Sequence, residues 1–197
     1  MENLAQNLFT EEEYLERERK AHSKSEYYKG EIFAIAGATR NHNLLVTNLC
    51  REISSALRGK PCEVYPFDMR VRNKKDPFYT YPDVTIVCGK PEFLNDMEDV
   101  LLNPQIIIEV LSDSTEKYDR GAKFALYRGF PYVQEYILVS TSEMKLESFH
   151  RNGSDWIFRE STQGEDFRLQ SIDVILNLAD VYEKVEFSSK KLREEYQ

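Results

Sequence analysis

Two short apolar segments of the sequence each carry one carboxylate: Asp83 lies in residues 81–87 and Glu109 lies in residues 106–112. A carboxylate in such surroundings is costly to bury unless a cation compensates its charge. A later segment carries Lys123. Two carboxylates on neighbouring strands, with an ammonium group nearby, predict a site for a hard divalent cation such as Mg²⁺ or Mn²⁺.

The segments around these residues predict two strands and a helix. Residues 106–108 are three isoleucines, which is typical of a strand buried on both faces. Pro82 is suited to the first residue of a strand, so Asp83 is expected at the start of its strand. Glu109 follows the isoleucines, at the end of its own strand. Residues 114–128 predict the helix that carries the lysine.

The rest of the sequence predicts further elements on both sides of this region. Thr10, followed by three glutamates, is a helix start, and Thr39 precedes an apolar helical stripe. The first half of the chain predicts a helix at 11–20, a hairpin at 25–36 turning at Lys29-Gly30, a helix at 39–57, a strand at 62–72 bent near Pro66, and a loop at 73–80. The strand after Asp83, a short helical or looped insert at 90–103, the strand ending at Glu109 and the helix at 114–128 follow. The remaining elements are a strand at 135–140, a hairpin at 145–160 turning at Asn152-Gly153, a short strand and turn at 169–178, and a charged helix or frayed tail at 179–197.

This order of elements favours a single α+β domain in which helices flank a mixed sheet. The chain has 197 residues, and we expect its core at about residues 25–175, with an added N-terminal hairpin and a C-terminal hairpin. No apolar run approaches the roughly 18 residues of a membrane-spanning helix. The first 14 residues lack the basic and apolar regions of a secretory signal. We therefore expect no membrane association and a cytoplasmic location.

The net charge of −8 counts against a large, non-specific nucleic-acid footprint, which normally needs a basic surface. Two basic stretches leave room for a local basic groove, although a solvated charged face is the simpler interpretation. The stretches consist of Arg70, Arg72, Lys74 and Lys75, and of Lys117, Arg120, Lys123 and Arg128.

The three cysteines, Cys50, Cys62 and Cys88, are widely spaced and form no CxxC pair. Their number and spacing favour neither a zinc site nor a disulfide framework. We expect three buried or partly buried thiols in a reducing compartment.

The pattern resembles the PD-(D/E)xK nuclease superfamily and, more closely, the Uma2 family, formerly DUF820, of restriction-endonuclease-like proteins common in cyanobacteria. The resemblance covers roughly residues 10–175, and the order and spacing of its pieces together make it fairly specific. The matching pieces are residues 26–30, His42, Pro82-Asp83, residues 109–112, Ser114-Thr115, Asp119, Lys123, Tyr127 and Glu135-Tyr136.

The resemblance implies a restriction-endonuclease-like fold and Mg²⁺- or Mn²⁺-dependent hydrolysis of DNA. Asp83 and Glu109 would hold the metal, together with a backbone carbonyl near Val110. Lys123 would orient the attacking water and neutralise developing charge. The usual superfamily motif places the lysine two residues after the glutamate, where this chain has Leu111. Since the Uma2 pattern places it on the following helix, Lys123 is the match, and its long stem can reach the same space.

Each assignment has a plainer alternative. Asp83 could end a strand, and Glu109 could pair with a buried arginine. Asp119 and Lys123 are four residues apart, so they could form an ordinary helical ion pair. Two further residues have auxiliary roles under the resemblance. Glu26 approaches the metal or is an ordinary hairpin residue. His42 makes a functional contact, or it is a surface residue or one with a satisfied structural partner.

Three functions remain open on the sequence. The first is a metal-dependent DNA endonuclease, for which a homodimer is expected because two strands must be cut. The second is a catalytically inactive binding or assembly protein that keeps the nuclease fold. The third, a phosphatase or nucleotide hydrolase, ranks last because no phosphate-cradling glycine motif occurs.

Overall fold

The computed structural model describes residues 8–187, so the predictions for the ends of the chain outside that range lie beyond the described residues. The helical elements are α1 (Glu11–Glu18), α2 (Arg40–Ala56), α3 (Glu116–Tyr118), a π-helical turn (Asp119–Lys123), α4 (Phe124–Arg128) and α5 (Leu178–Val181). None of the helices within this range has the length and hydropathy to cross a membrane.

The strands form three sheets. A five-stranded sheet has the order β2 (Glu31–Ala34), β1 (Ser25–Tyr28), β5 (Phe78–Thr80), β4 (Arg70–Arg72) and β7 (Val100–Leu101). A six-stranded sheet has the order β11 (Asp155–Thr162), β10 (Lys145–Asn152), β9 (Glu135–Val139), β8 (Ile106–Val110), β6 (Val84–Cys88) and β3 (Cys62–Pro66). A two-stranded sheet joins β12 (Asp166–Leu169) and β13 (Val174–Asn177).

The strand β8 lies inside the six-stranded sheet, antiparallel to β6 and parallel to β9. All of its residues are buried, as the run of isoleucines predicts. Ile106 and Ile108 pack on the side of α2, whereas Ile107 packs on the opposite side with Tyr127 and Tyr136. Parallel neighbours need a long crossover, and the helical segment from α3 to α4 supplies it. Glu109 therefore faces that segment, because alternate residues of a strand share a face.

The predicted helix starts and the first hairpin are confirmed. Thr10 forms a capping box with Glu13, and the Thr39 hydroxyl accepts a hydrogen bond from the backbone N–H of His42. Lys29 and Gly30 connect β1 to β2 with φ angles of 48° and 97°.

The second hairpin forms one residue later than predicted. Asn152 pairs with Asp155, so Gly153 and Ser154 make the connection. Gly153 has a φ of 63°. Glycine thus occupies the first rather than the second position of the two-residue connection, where a left-handed residue is also favoured.

Two predictions between residues 62 and 80 are wrong. The chain at 62–72 is two strands in different sheets, because it turns after Pro66, where the Asp68 N–H donates to the Pro66 carbonyl. Residues 78–80, expected in a loop, form the buried strand β5 between β1 and β4. This short strand had no periodic pattern of its own, and its two neighbours define it.

The expectation of three free thiols is also wrong. Antiparallel pairing of β3 with β6 places Cys62 directly opposite Cys88, with their Cα atoms 4.0 Å apart, and the two form a disulfide. Cys50 on α2 is the free cysteine of the described residues, and burial raises the pKa of its thiol to about 11. Sequence spacing gave no sign of the cross-strand pairing.

Candidate active site

Asp83 and Glu109 lie opposite each other at one end of the six-stranded sheet. In the register of β6 and β8, Val84 pairs with Ile108, and continuing it by one residue brings the two acids together. The backbone N–H of Val110 donates to Asp83 Oδ2 at 2.7 Å, which fixes that carboxylate against the end of β8. Directly opposite residues of an antiparallel pair share a face. The two carboxylates therefore have a common side.

His42 joins Asp83 from the first turn of α2. Its Nε2 lies 3.1 Å from Asp83 Oδ2, and each side chain is 16% exposed. Because Thr39 caps the helix at this point, the start of α2 determines where the imidazole lies. His42 is therefore tied to the carboxylate rather than free on the surface.

Lys123 extends from the π-helical turn into the same space. Its Nζ lies 3.0 Å from Glu109 Oε1, 3.1 Å from Glu26 Oε1 and 3.7 Å from Asp119 Oδ1. The contact with Asp119, which an ordinary helical ion pair would make the closest, is the longest of the three. The ammonium of a lysine on the following helix thus reaches the glutamate at the end of β8. The π-helical turn carries both Asp119 and Lys123, and turns of this kind are frequent at functional sites.

Glu26 reaches the cluster from the five-stranded sheet. On β5, Tyr79 pairs with Tyr27 of β1, so Thr80 lies opposite Glu26, and its hydroxyl donates to Glu26 Oε1. Glu26 is buried and in contact with Lys123. The two large sheets therefore meet through this ion pair, and Glu26 is more than an ordinary hairpin residue.

Two residues of the site were given no role by the sequence. The Tyr127 hydroxyl donates to Glu109 Oε1 at 2.8 Å and lies 3.4 Å from the Thr80 hydroxyl. Tyr127 was part of the recognised pattern, and its position four residues after Lys123 places both on one side of a helix. Thr80 precedes Asp83 by three residues, and only the pairing of β5 with β1 brings it to Glu26.

The cluster contains more acid than base. Burial raises the pKa of Glu109 well above its ordinary value, against the lowering effect of the Lys123 ammonium, while Asp119 and Asp83 add to the rise. Burial likewise raises the pKa of Asp119. Burial alone would lower the pKa of Lys123, but the carboxylates of Glu109, Glu26 and Asp119 outweigh it and raise that pKa. The Lys123 ammonium stays protonated and is shared by three carboxyl groups.

The carboxylates suit a hard divalent cation by chemistry and by charge. The hydrogen bonds described above engage Oδ2 of Asp83 and Oε1 of Glu109, and each carboxylate has a second oxygen. Oxygen ligands and surplus negative charge are what Mg²⁺ and Mn²⁺ require. Within residues 8–187, no three Asp, Glu, His or Cys side chains converge as a ready metal cage. Lys123 instead lies among the carboxylates of Glu26, Glu109 and Asp119.

Much of the basic sequence is neutralised by neighbouring acids. Arg72 Nε lies 2.7 Å from Glu11 Oε2, and Lys74 Nζ lies 2.5 Å from Glu92 Oε2. Arg120 pairs with Glu116 at 2.8 Å and also with Glu147. Arg70 is buried, and its Nη2 lies 3.8 Å from Asp99 Oδ2. These four residues are therefore not free to form a continuous basic groove, whereas Lys75, Lys117 and Arg128 of the same stretches are exposed.

Several known proteins are similar to this chain in sequence. A sequence model of the Uma2 family, described as "Putative restriction endonuclease", matches residues 11–179. The protein sll1609 of Synechocystis sp. (strain ATCC 27184 / PCC 6803 / Kazusa) is 36% identical over 164 residues, which cover 83% of this chain and 92% of that protein. A second protein of the same strain, slr1290, is 32% identical over 177 residues, covering 89% of this chain and 92% of its own length.

A solved structure has the same architecture. The crystal structure of a protein described as a "putative nuclease belonging to DUF820", from Anabaena variabilis ATCC 29413, aligns with a TM-score of 0.70 over 88% of this chain and 97% of the other. Its sequence identity of 17% supports likeness of fold alone. The family match spans most of the chain and agrees with this α+β architecture, which confirms the resemblance inferred from the sequence. The chain belongs to the Uma2 family.

Proposed function

We propose that this protein is a metal-dependent nuclease that hydrolyses DNA phosphodiester bonds. Its membership of the Uma2 family supports a nuclease function in general terms. The observation that supports the proposal most strongly is that Lys123 Nζ lies 3.0 Å from Glu109 Oε1, while the register of β6 and β8 places Asp83 opposite Glu109.

Asp83 and Glu109 are the residues that would hold a divalent cation. When bound, Mg²⁺ or Mn²⁺ supplies polarisation of the phosphate and a lowered pKa of a coordinated water. His42 and the Val110 N–H orient the Asp83 carboxylate, and the Tyr127 hydroxyl orients that of Glu109. These donors hold the metal-binding oxygens in place before substrate arrives.

Lys123 is the positive group of the proposed mechanism. Phosphodiester hydrolysis builds up negative charge on the phosphate oxygens, and a prearranged cation stabilises it. The Lys123 ammonium is buried and remains protonated because three carboxylates surround it. It would also hold the attacking water by donating a hydrogen bond.

Cleavage of plasmid and oligonucleotide DNA in Mg²⁺ or Mn²⁺ tests the proposal. We expect cleavage, and EDTA should abolish it. Asp83→Asn and Glu109→Gln should each reduce the cleavage rate by at least about 100-fold. Glu160→Gln, on the exposed edge strand β11, is the control and should cleave normally. Absence of cleavage in both metals, or full activity of Glu109→Gln, would contradict the proposal.

A catalytically inactive binding or assembly protein is the second candidate. It is favoured by the position of Lys123 among the carboxylates and by the lack of a ready three-residue metal cage in the described chain. Calorimetric titration with Mn²⁺ separates the two candidates. Binding that Glu109→Gln weakens favours the nuclease, whereas no binding by the folded protein favours the inactive scaffold.

A homodimer and a cytoplasmic location, both expected from the sequence, stay predictions. So does the single domain with its core at about residues 25–175. Sedimentation analysis of the purified chain measures its oligomeric state, and limited proteolysis tests whether the core is a single domain.

A further inference from the structure

An exposed aromatic side chain stands beside the acidic cluster on the five-stranded sheet. Phe33 of β2 pairs directly with Glu26 of β1, so the two side chains share the face that meets Lys123. Glu26 is buried, whereas Phe33 is 46% exposed. Phe33 thus lies beside buried Glu26 on the same face of the sheet and is accessible to solvent.

Tyr118 stands at the same cluster on the helical side. It is the last residue of α3, directly before the π-helical turn, and its ring centroid lies 6.0 Å from Lys123 Nζ. Partial burial, together with the nearby carboxylate of Glu26, raises the pKa of its hydroxyl to about 12. The residue is nevertheless 38% exposed. Phe33 and Tyr118, here called the aromatic rim, therefore flank the Glu26–Lys123 contact from two different elements.

The charge around the site disfavours a rigid duplex. Duplex binding depends on many free basic side chains that neutralise phosphates. The chain carries a net charge of −8, and Arg72, Lys74 and Arg120 are paired with acids, which leaves Lys117 and Arg128 as the exposed basic residues of the helical segment from α3 to α4. Stacking of a base on an aromatic ring contributes about 1–3 kcal/mol in addition to phosphate contacts, and it needs bases that are unpaired.

We propose that the strand bound at this site is single-stranded or locally unpaired, with bases next to the scissile phosphate stacked on the aromatic rim. This inference rests on the proposed nuclease function and names the class of its substrate. The acidic cluster lies below the rim, so a base held on Phe33 or Tyr118 brings its own phosphate close to Lys123.

Fluorescence anisotropy with a labelled single-stranded oligonucleotide and its blunt duplex, in Ca²⁺, tests the inference. The single strand should bind at least about tenfold more tightly than the duplex. Phe33→Ala and Tyr118→Ala should each weaken single-strand binding by roughly 5- to 100-fold, the range of one lost stacked base. Tyr118→Phe keeps the ring and should bind normally. Phe158→Ala, an aromatic residue 49% exposed on β11, is the control and should also bind normally.

Three results would overturn the inference. The duplex could bind as tightly as the single strand, or Phe33→Ala and Phe158→Ala could lose the same amount of single-strand affinity. In the third, Phe33→Ala would change the mass measured by sedimentation but not the affinity for the single strand. The last would make the rim a contact between two copies of the chain. Cleavage separates this inference from the proposed function. If duplex DNA is cleaved in a metal-dependent manner and Phe33→Ala cleaves it equally well, the role of the aromatic rim is wrong but the nuclease function stands. If binding depends on the rim but no metal supports cleavage, the nuclease function is wrong but the single-strand site stands.

Discussion

Two buried glutamates lie on the neighbouring parallel strands β8 and β9, at opposite ends of the pair. Glu109 is opposite Leu138 and Glu135 is opposite Ile106. Their exposures are 4% and 0%, and burial is the main cause of a raised pKa in both. By residue type and burial they are alike.

Their partners differ in charge. Glu135 accepts hydrogen bonds from the Gln170 N–H at 2.6 Å and the Ser171 hydroxyl at 2.9 Å, and these neutral donors oppose the rise of its pKa. It ties the turn between β12 and β13 to β9. Glu109 instead shares one ammonium with other carboxylates. The comparison teaches that surplus charge near an exposed rim, more than burial, distinguishes a candidate catalytic acid from a structural one.

Exchanging each glutamate for glutamine should separate the two roles most widely. Glu109→Gln should reduce metal-dependent cleavage by at least about 100-fold, because it removes a proposed ligand. Glu135→Gln should lose about 1–3 kcal/mol of unfolding free energy, since its amide cannot satisfy both donors, while the folded fraction cleaves normally. Urea unfolding and plasmid cleavage measure the two effects. Equal activity losses in both variants would break the comparison.

Replacing the basic side chain beside each glutamate should have a large effect on one side only. Lys123→Met leaves buried carboxylates uncompensated and should cost about 3–5 kcal/mol of stability. His150→Gln, whose native Nδ1 lies 3.4 Å from Glu135 Oε1 and is 28% exposed, should cost less than about 1 kcal/mol. Thermal and urea unfolding compare them. A Lys123→Met variant as stable as the native chain would show that the acids are not short of positive charge.

The pH dependence of the Glu109 cluster has a definite sign. Because the folded-state pKa values of Glu109 and Asp119 are raised, their stabilising contribution is full below their ordinary values of 4.5 and 3.8 and is lost as the pH rises through the raised values. Mn²⁺ binds the ionised carboxylates, so the affinity of the protein for Mn²⁺ should increase as the pH rises through the raised pKa values of these two acids. Calorimetry across this pH range, with Glu135→Gln as the matched control, measures it. Affinity independent of pH would contradict the assignment of Glu109 as a ligand.

Removing single hydroxyl groups should have smaller effects than replacing Glu109 or Lys123. Tyr127→Phe removes the hydrogen bond to Glu109, and Ser171→Ala removes one to Glu135, so each should cost about 1–2 kcal/mol. Only Tyr127→Phe should also reduce cleavage. A loss of activity in Ser171→Ala would show that Glu135 has more than a structural role.

Local patterns predicted the elements that carry the site. The isoleucines before Glu109, the Thr39 cap of α2 and the Lys29-Gly30 turn all act within a few residues, so the sequence reveals them. The resemblance to the Uma2 family also implied that Lys123, on the following helix, could reach the space beside Glu109. Their direct contact now gives that hypothesis a geometry.

What could not be predicted depends on pairing between distant segments. The Cys62–Cys88 disulfide, the strand β5 and the contact of Thr80 with Glu26 arise from strand register, which no short pattern encodes. The π-helical turn at Lys123 likewise has no periodic signature. These features were missed because tertiary pairing outweighs local preference in short strands.

Anomalous scattering from a crystal soaked in Mn²⁺ tests the central claim most directly. The account predicts one strong peak within bonding distance of Asp83 and Glu109, with the Lys123 ammonium beside it. No peak between these carboxylates at a concentration that saturates binding in solution, or a peak elsewhere in the molecule, would contradict it.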